Sequence, residues 1–317
     1  MTRSQRTLRR LVTVGAPKVL LQLCFLLLQH LGDNVEEVDA FETFSGMHAI
    51  TTAHRRRGLR AVTFDVRDRK DSLTDMCATA SFVHACTCAC SLREGASQSF
   101  NAPVCATWGW VNRGTSRRTP CFILGDTEVD AVAAANLQVS RLVLILYIYE
   151  AQGVWWVVEQ PRNSLLEQHP RFQQFLRDCE VFRTGVDLES FGSSTQKPLW
   201  LYSNKKWVGE ISRYASRWWD SSMTDMELVQ VRPDSTGALR VYGVRQSLHE
   251  SQHYPPAFGE AVAAVHMAHL HELYTAHAEQ NNKSSMVPLP ELWTHDDNED
   301  MWDDAEMSAV MAFLTGK

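Results

Sequence analysis

The sequence predicts an α/β protein with a mostly parallel sheet and helices on both faces, followed by a small C-terminal lobe and helix. Two observations support this fold class. Short apolar runs alternate with longer helical patterns between about 35 and 205, which is typical of βαβ units. One of the short runs, 154–158, is nearly all apolar and reads Val-Trp-Trp-Val-Val. Such runs predict strands, and the patterns between them predict the crossover helices.

The predicted elements divide the chain into four regions. Strands are expected at 38–44, 59–64, 98–105, 154–158 and 199–203, and helices at 49–57, 78–92, 131–150 and 165–180. No unit of 20–50 residues repeats, which excludes solenoids and propellers. The regions are a basic segment with an apolar helix at 1–32, the α/β domain at 33–205, a small lobe with a closing helix at 206–280, and an acidic tail at 281–317.

Composition and charge exclude several classes of protein. The 317 residues are 44% hydrophobic and 21% charged, so the chain is globular rather than disordered or fibrous. The first 18 residues hold five basic side chains and no acid, whereas 291–317 hold eight acids and one lysine. The remainder is therefore close to neutral, and a polyanionic partner must be bound by local patches.

The most apolar stretch lies near the N-terminus, at 19–31. Its 13 residues are too few for a transmembrane helix, which needs about 20. We expect a packed helix that begins after Pro17 and ends near Gly32, with an organelle transit peptide as the alternative. No membrane partner is expected, and the compartment is left open. The eight cysteines, without a secretory signal, indicate reduced thiols.

Polar residues follow the predicted strands at the edge where parallel sheets bind ligands. The first strand leads into Phe44-Ser45-Gly46, and the glycine allows backbone to approach a ligand closely. Asp65 ends the second strand, where a carboxylate can accept hydrogen bonds from a ribose diol. Cys105 and Glu159 end the next two strands. These four strand ends predict a nucleotide-type site with reactive groups beside it.

The same strand ends resemble the class I S-adenosylmethionine-dependent methyltransferases, and within them the DNA cytosine-5 methyltransferases. Residues 42–46, Glu-Thr-Phe-Ser-Gly, are similar to the first motif of that family. Pro103-Val104-Cys105 is similar to its Pro-Cys motif with one residue inserted, and Glu159-Gln160-Pro161 to its Glu-Asn-Val motif. Residues 252–262 are similar to its closing motifs. The resemblance covers about 36–265.

The resemblance implies a Rossmann-like fold, S-adenosylmethionine as the cofactor, and a nucleic acid as the partner, with DNA preferred over RNA. It implies that Cys105 is a nucleophile that adds to carbon 6 of cytosine, and that Glu159 is the general acid at ring N3. The cofactor-binding residues it implies are Phe44, Ser45, Gly46, Asp65 and Gly259.

Basic and amide side chains near these motifs are the candidates for substrate binding, namely Arg113, Arg117 and Asn163. Because Arg113, Arg117 and Arg118 follow Cys105 closely, we also expect them to favour its thiolate and to contact phosphates. The stretch 205–219 interleaves lysine and arginine with three tryptophans. That pattern has two interpretations, a surface that stacks on single strands or the core of a small lobe.

Several features favour other functions. His48 stands where the family has a second glycine, and Val104 separates Pro103 from Cys105, as would suit a non-catalytic scaffold that keeps the fold. About 50 residues separate Lys197 from the closing motif, which is short for a target-recognition domain and would suit a methyltransferase for RNA or a small molecule. Both functions stay open as alternatives.

No metal site is expected. Cys86 and Cys90 share one helix face, but no second Cys-Xaa-Xaa-Cys pair completes a set of four ligands. His266, His269 and His271 do not form the His-Glu-Xaa-Xaa-His pattern of zinc proteases. We therefore expect the cysteines to pack in the core and the histidines to lie on the faces of a C-terminal helix.

Overall fold

The computed structural model describes residues 2–32, 36–68, 73–215, 229–244 and 252–280. Six strands form its main sheet: β1 (Ala40–Thr43), β2 (Ala61–Phe64), β3 (Gln98–Asn101), β4 (Trp155–Pro161), β5 (Phe182–Asp187) and β6 (Pro198–Ser203). Their spatial order is β2-β1-β3-β4-β6-β5. The first four strands are parallel, and β6 is antiparallel to both of its neighbours. The predicted mostly parallel sheet is confirmed.

Helices surround this sheet, and a separate hairpin follows it. The α-helices are α1 (Arg3–Thr13), α2 (Lys18–Leu31), α3 (Ala49–Arg56), α4 (Thr79–Cys90), α5 (Arg113–Ser116), α6 (Asp130–Gln152), α7 (Pro170–Asp178) and α8 (Pro256–Gln280). Short 3-10 helices occupy Trp110–Asn112, Leu166–Gln168, Leu188–Phe191 and Lys206–Tyr214. The hairpin pairs β7 (Val229–Pro233) with β8 (Leu239–Gly243).

The sheet is buried on both faces, as the sequence of β4 shows. Trp156 and Val158 belong to the larger apolar cluster, which also contains the buried sides of α2, α4, α6 and α7. Trp155 and Val157 point the other way, into the cluster built with α8. Because successive side chains of a strand alternate between faces, an all-apolar strand requires cover on both. The helices supply that cover.

α6 is the central helix of the larger cluster. It is long and apolar enough, by composition alone, to cross a bilayer, and it is the one such helix in the described part of the chain. Its run from 142 to 149 is fully buried against the sheet and the neighbouring helices. A helix that is apolar all round is expected at such a position, so core packing accounts for its composition.

The N-terminal region forms two helices. α2 confirms the packed helix predicted after Pro17, and it ends at Gly32, whose φ of 68° is left-handed. The basic segment before it is also helical, which was not predicted. Its arginines bind groups elsewhere in the domain: Arg3 donates to Cys90 O at 2.9 Å, and Arg6 pairs with Glu94 at 3.0 Å. Part of the N-terminal positive charge therefore serves the fold.

A buried polar cluster joins the three central strands. Thr43 Oγ1 donates to Asn101 Oδ1 at 2.7 Å, and Asn101 Nδ2 donates to Val157 O at 3.0 Å. Thr43, Asn101 and Val158 are register partners across β1, β3 and β4. The carboxyl ends of these strands consequently lie level with one another.

Three elements differ from expectation for identifiable reasons. The strand predicted at 98–105 ends at Asn101, and the chain then turns. The helix predicted at 165–180 is divided at His169, whose extended backbone caps α7 before Pro170, a residue suited to the first helical position. β5 was not predicted, because it is an edge strand with exposed Arg183 and an internal Gly185 rather than an apolar run.

Gly259 allows α8 to approach the start of α3. A Cβ atom at this position would lie 2.4 Å from Ala49 O, a backbone atom that cannot rotate away. We expect Gly259→Ala to lower the free energy of unfolding by about 1–3 kcal/mol, the range for overpacking, in chemical denaturation. Gly114→Ala is the matched control, since its Cβ would meet nothing within 4 Å. Equal stability of the two variants would contradict the close helix contact.

Candidate active site

A cleft of about 310 Å³ opens at the carboxyl edge of the parallel strands. Segments that follow β1, β2 and β3 line it, at 44–47, 64–67 and 102–106, together with Glu159 of β4. Lys197 also lines the cleft, because β6 is antiparallel and therefore begins at the edge where its parallel neighbours end. Gln252 and Tyr254, just before α8, also line the cleft, as do residues 74–76 and Gln138 of α6.

The turn after β1 has an unusual backbone. Phe44, Gly46 and His48 all have left-handed φ values, between 52° and 57°. This conformation is uncommon for residues with a side chain and costs of order 1 kcal/mol or more, and such strain clusters at functional sites. Gly46 N donates to Asp65 Oδ2 at 2.9 Å, which ties the turn to the end of β2. The predicted partners Gly46 and Asp65 are thus in direct contact.

His48 adopts the backbone conformation that a glycine would adopt at this position. Its φ is 57°, and it is not among the residues that line the cleft. Nδ1 lies 3.1 Å from Ser45 Oγ, and Nε2 lies 3.2 Å from Asp68 Oδ1. The side chain therefore leaves the space in front of Gly46 open, where a Cβ atom would meet nothing within 4 Å.

Asp65 presents a carboxylate at the end of β2. Oδ2 accepts from Gly46 N, and Oδ1 accepts from Arg67 N at 2.8 Å. An ionised carboxylate has about four acceptor positions, so each oxygen retains capacity for another donor. The side chain lines the cleft and can accept from a diol placed there.

Cys105 lies partly exposed in the turn after β3. Its carbonyl accepts from Trp108 N at 3.0 Å and Gly109 N at 3.1 Å, which holds the turn closed. Burial raises the pKa of the Cys105 thiol, the Lys197 ammonium opposes this rise, and the Glu159 carboxylate adds to it. Val104, the inserted residue, is 49% exposed and also lines the cleft, so the insertion leaves Cys105 in the site.

Glu159 is a buried acid with one oxygen bound and one free. Its side chain is 4% exposed. Oε2 accepts from the Tyr254 hydroxyl at 2.7 Å, whereas Oε1 has no hydrogen-bond partner and lies 3.8 Å from Lys197 Nζ. A buried polar atom without a hydrogen-bond partner is costly and is usually explained by a function. Oε1 is therefore available to a ligand in the cleft.

Arg118 supports the Cys105 turn from inside the protein. It is fully buried, and its guanidinium lies 3.4 Å from the Trp108 ring centre. It donates to Thr107 Oγ1 at 3.2 Å and to Ile123 O at 2.7 Å. Burial lowers the pKa of Arg118 to about 10. The expectation that Arg118 contacts phosphates is wrong, because its side chain is enclosed by the core.

Four predicted site residues lie outside the cleft lining. Arg113 is exposed at the start of α5, and Arg117 is exposed just after that helix, where it pairs with Asp126 at 3.4 Å. Asn163 is exposed in the turn after β4. Gly259, expected at the cofactor, instead packs α8 on α3. The structure thus brings together six of the ten predicted residues: Phe44, Ser45, Gly46, Asp65, Cys105 and Glu159.

Of the cysteines and histidines noted in the sequence, Cys86, Cys90, His266 and His269 are buried, whereas His271 is exposed. The Trp207 ring stacks on His269, with ring centres 3.6 Å apart, and meets Trp155 edge-on. Trp207 therefore supports the second interpretation of the stretch 205–219, the core of a small lobe. Trp218 and Trp219 lie outside the described residues. Within the described ranges, no group of three or more His, Cys, Asp or Glu side chains is arranged to hold a metal ion.

Lys197 and Tyr254 are the site residues that the sequence did not identify. Both precede an element, β6 or α8, that begins at the cleft edge, whereas the polar residues that indicated the site follow the ends of predicted strands. The signal available for Tyr254 was its place in the closing motif, and for Lys197 its polar character just before a strand.

No family model and no curated protein sequence matches this chain. Among solved structures, it is similar to the S. pombe Dnmt2 methyltransferase, with 10% identity, a TM-score of 0.34, and 63% of this chain and 62% of that chain covered. It is also similar to the Entamoeba histolytica methyltransferase EhMeth, with 10% identity, a TM-score of 0.33, and 75% and 99% covered. The match spans less than two thirds of the S. pombe protein.

The opposed effects of Lys197 and Glu159 on the pKa of Cys105 can be measured by alkylation. Lys197→Met removes the cation that favours the thiolate, so we expect the pH midpoint for Cys105 modification by iodoacetamide to rise. Glu159→Gln removes the anion and should lower that midpoint. Peptide mass spectrometry measures the extent of alkylation of Cys105 at each pH. Exposed Cys121 in the same sample is the control, and its pH midpoint should not change. Shifts in the same direction would contradict this electrostatic arrangement.

Proposed function

We propose that this chain is an S-adenosylmethionine-dependent methyltransferase acting on a nucleic-acid base, with carbon 5 of cytosine as the target. One observation supports the proposal above all others. The strained turn bound to Asp65 and the pair Cys105 and Glu159 open onto a single cleft. Group transfer needs a nucleotide-type site and a reactive pair side by side, and chance would seldom place both at one sheet edge.

The residues of the first half of the cleft suit the proposed cofactor. Asp65 is available for ribose hydroxyls, and the open space at Gly46 would admit the close approach of a ligand to the backbone. Phe44 and Ser45 complete this turn. When bound, S-adenosylmethionine supplies an electrophilic methyl group.

The second half suits a ring that must be activated before it can accept a methyl group. The Cys105 thiolate would bond to C6 of cytosine while the C5–C6 electron pair moves onto C5 and Glu159 gives a proton to N3. The C5 electron pair would then bond to the methyl carbon as the bond between that carbon and the sulfonium sulfur breaks, which leaves S-adenosylhomocysteine. The hydrogen on C5 would then leave as a proton to solvent. The thiolate then departs, the double bond is restored, and N3 returns its proton to Glu159. Lys197 would help by favouring the thiolate.

Cofactor binding is tested by calorimetry with S-adenosylmethionine. We expect Asp65→Ala to weaken binding at least tenfold, which is about 1.4 kcal/mol of binding free energy. Asp187→Ala is the matched control, because this exposed acid ends β5 of the same sheet outside the cleft. It should bind like the natural chain. No binding by folded natural protein would overturn the proposal in favour of a scaffold.

The reaction is tested with oligonucleotides that contain 5-fluorocytosine, from which the blocked carbon 5 cannot lose its substituent. We expect a covalent adduct on Cys105 with DNA when S-adenosylmethionine is present. Cys105→Ser should form no adduct and transfer no methyl group, yet bind the cofactor within about twofold of the natural chain. An adduct with RNA alone would replace the DNA assignment with the RNA alternative. Methyl transfer by Cys105→Ser would overturn the covalent mechanism.

A further inference from the structure

Tyr254 joins the C-terminal part of the chain to the catalytic half of the cleft. Its hydroxyl donates to Glu159 Oε2 at 2.7 Å, across 95 residues of sequence. The ring is held by two edge-on or tilted aromatic contacts, with Phe100 at 5.7 Å and Phe258 at 5.2 Å between ring centres. Phe100 belongs to β3 and Phe258 to α8, so the sheet and the closing helix together fix where the hydroxyl points.

The hydrogen bond from Tyr254 fixes which carboxylate oxygen of Glu159 can meet a ligand. A glutamate carboxylate rotates readily about its last torsion, and its two oxygens are chemically equal. With Oε2 bound, the plane of the carboxylate is set, and Oε1 is left free beside Lys197 at 3.8 Å. A group that must meet one ring atom gains rate from such fixed orientation.

The segment that carries Tyr254 is anchored at a second point. Gln252 Oε1 accepts from Arg67 Nη2 at 3.0 Å, just beyond the end of β2. The segment 252–254 therefore crosses the cleft edge from the cofactor side to Glu159 of β4, and all four side chains in these two contacts line the cleft. The placement of the hydroxyl follows from the fold as a whole.

We propose that Tyr254 is a positioning residue, which orients the Glu159 carboxylate for the transfer reaction. The inference rests on the proposed function. It requires that loss of the hydroxyl reduce the chemical step while leaving cofactor binding intact, because the hydroxyl donates to Glu159. A hydroxyl that merely stabilised the fold would change stability and leave turnover per folded molecule unchanged.

Tyr254→Phe tests this directly, since the ring and its contacts with Phe100 and Phe258 are retained. We expect kcat to fall about 10- to 100-fold, the usual effect of losing orientation of an acid–base group, with KM for S-adenosylmethionine within twofold. Tyr202→Phe is the matched control. Tyr202 also donates to a glutamate, Glu167, at 2.8 Å, but neither residue lines the cleft. Its kcat should equal that of the natural chain.

A double variant separates positioning from a general structural effect. In a Glu159→Ala background, the rate of adduct formation with 5-fluorocytosine should not fall further when Tyr254→Phe is added, because the residue has nothing left to orient. An additional fall equal to that of the single variant would overturn the inference, as would unchanged kcat in Tyr254→Phe. If the natural chain forms no adduct and transfers no methyl group, the proposed function fails, and the inference fails with it. If the natural chain transfers the methyl group and Tyr254→Phe has the same kcat, the inference fails but the proposed function does not.

Discussion

The carboxyl ends of β1, β3 and β4 are held level by one buried amide, that of Asn101. It accepts from Thr43 on one side and donates to the β4 backbone on the other. A slip of one residue would move a strand by about 3.3 Å, turn its side chains to the opposite face, and leave buried polar groups without partners at about 1–3 kcal/mol each. The strand ends meet in one cleft because this arrangement is costly to change.

The electrostatics of the cleft then follow from sheet topology. Parallel strands deliver Cys105 and Glu159 to the same edge, where burial and the adjacent carboxylate both disfavour a thiolate. A cation is needed to offset them. β6 supplies it because an antiparallel strand begins where its neighbours end, which places Lys197 within 3.8 Å of Glu159. The reversal of a single strand thus changes the charge balance of the site.

The sequence predicted those parts of the molecule that depend on local pattern. The apolar run of β4 and the polar residues after each strand were sufficient to bring Cys105 and Glu159 to one edge. Edge strand β5 lacked such a pattern and was missed. The direction of a side chain could not be predicted from the sequence either. Arg113, Arg117 and Arg118 carry the same charge and lie within six residues of one another. Arg118 is nevertheless enclosed beside Trp108, whereas the other two face solvent.

Contacts between distant segments account for the rest of what could not be foreseen. In the sequence, a glycine at position 259 is equally consistent with close approach to a ligand and with close approach to a helix. The position of Ala49 O in the structure shows that it approaches a helix. The bond between Tyr254 and Glu159 has no local signal at all. Both depend on how α8 lies against the sheet.

The late position of α8 in the chain has a consequence for the protein during its synthesis. Phe258 and Val262 of this helix cover one face of the sheet, where Phe100 and Trp155 are buried beneath them. A ribosome releases the strands first, so these aromatic side chains meet water until the helix emerges. For that interval the nascent chain presents the kind of apolar surface that chaperones bind. Packing of α8 on the sheet ends this exposure and also brings Tyr254 to Glu159. The cleft is therefore completed only after α8 has been synthesised.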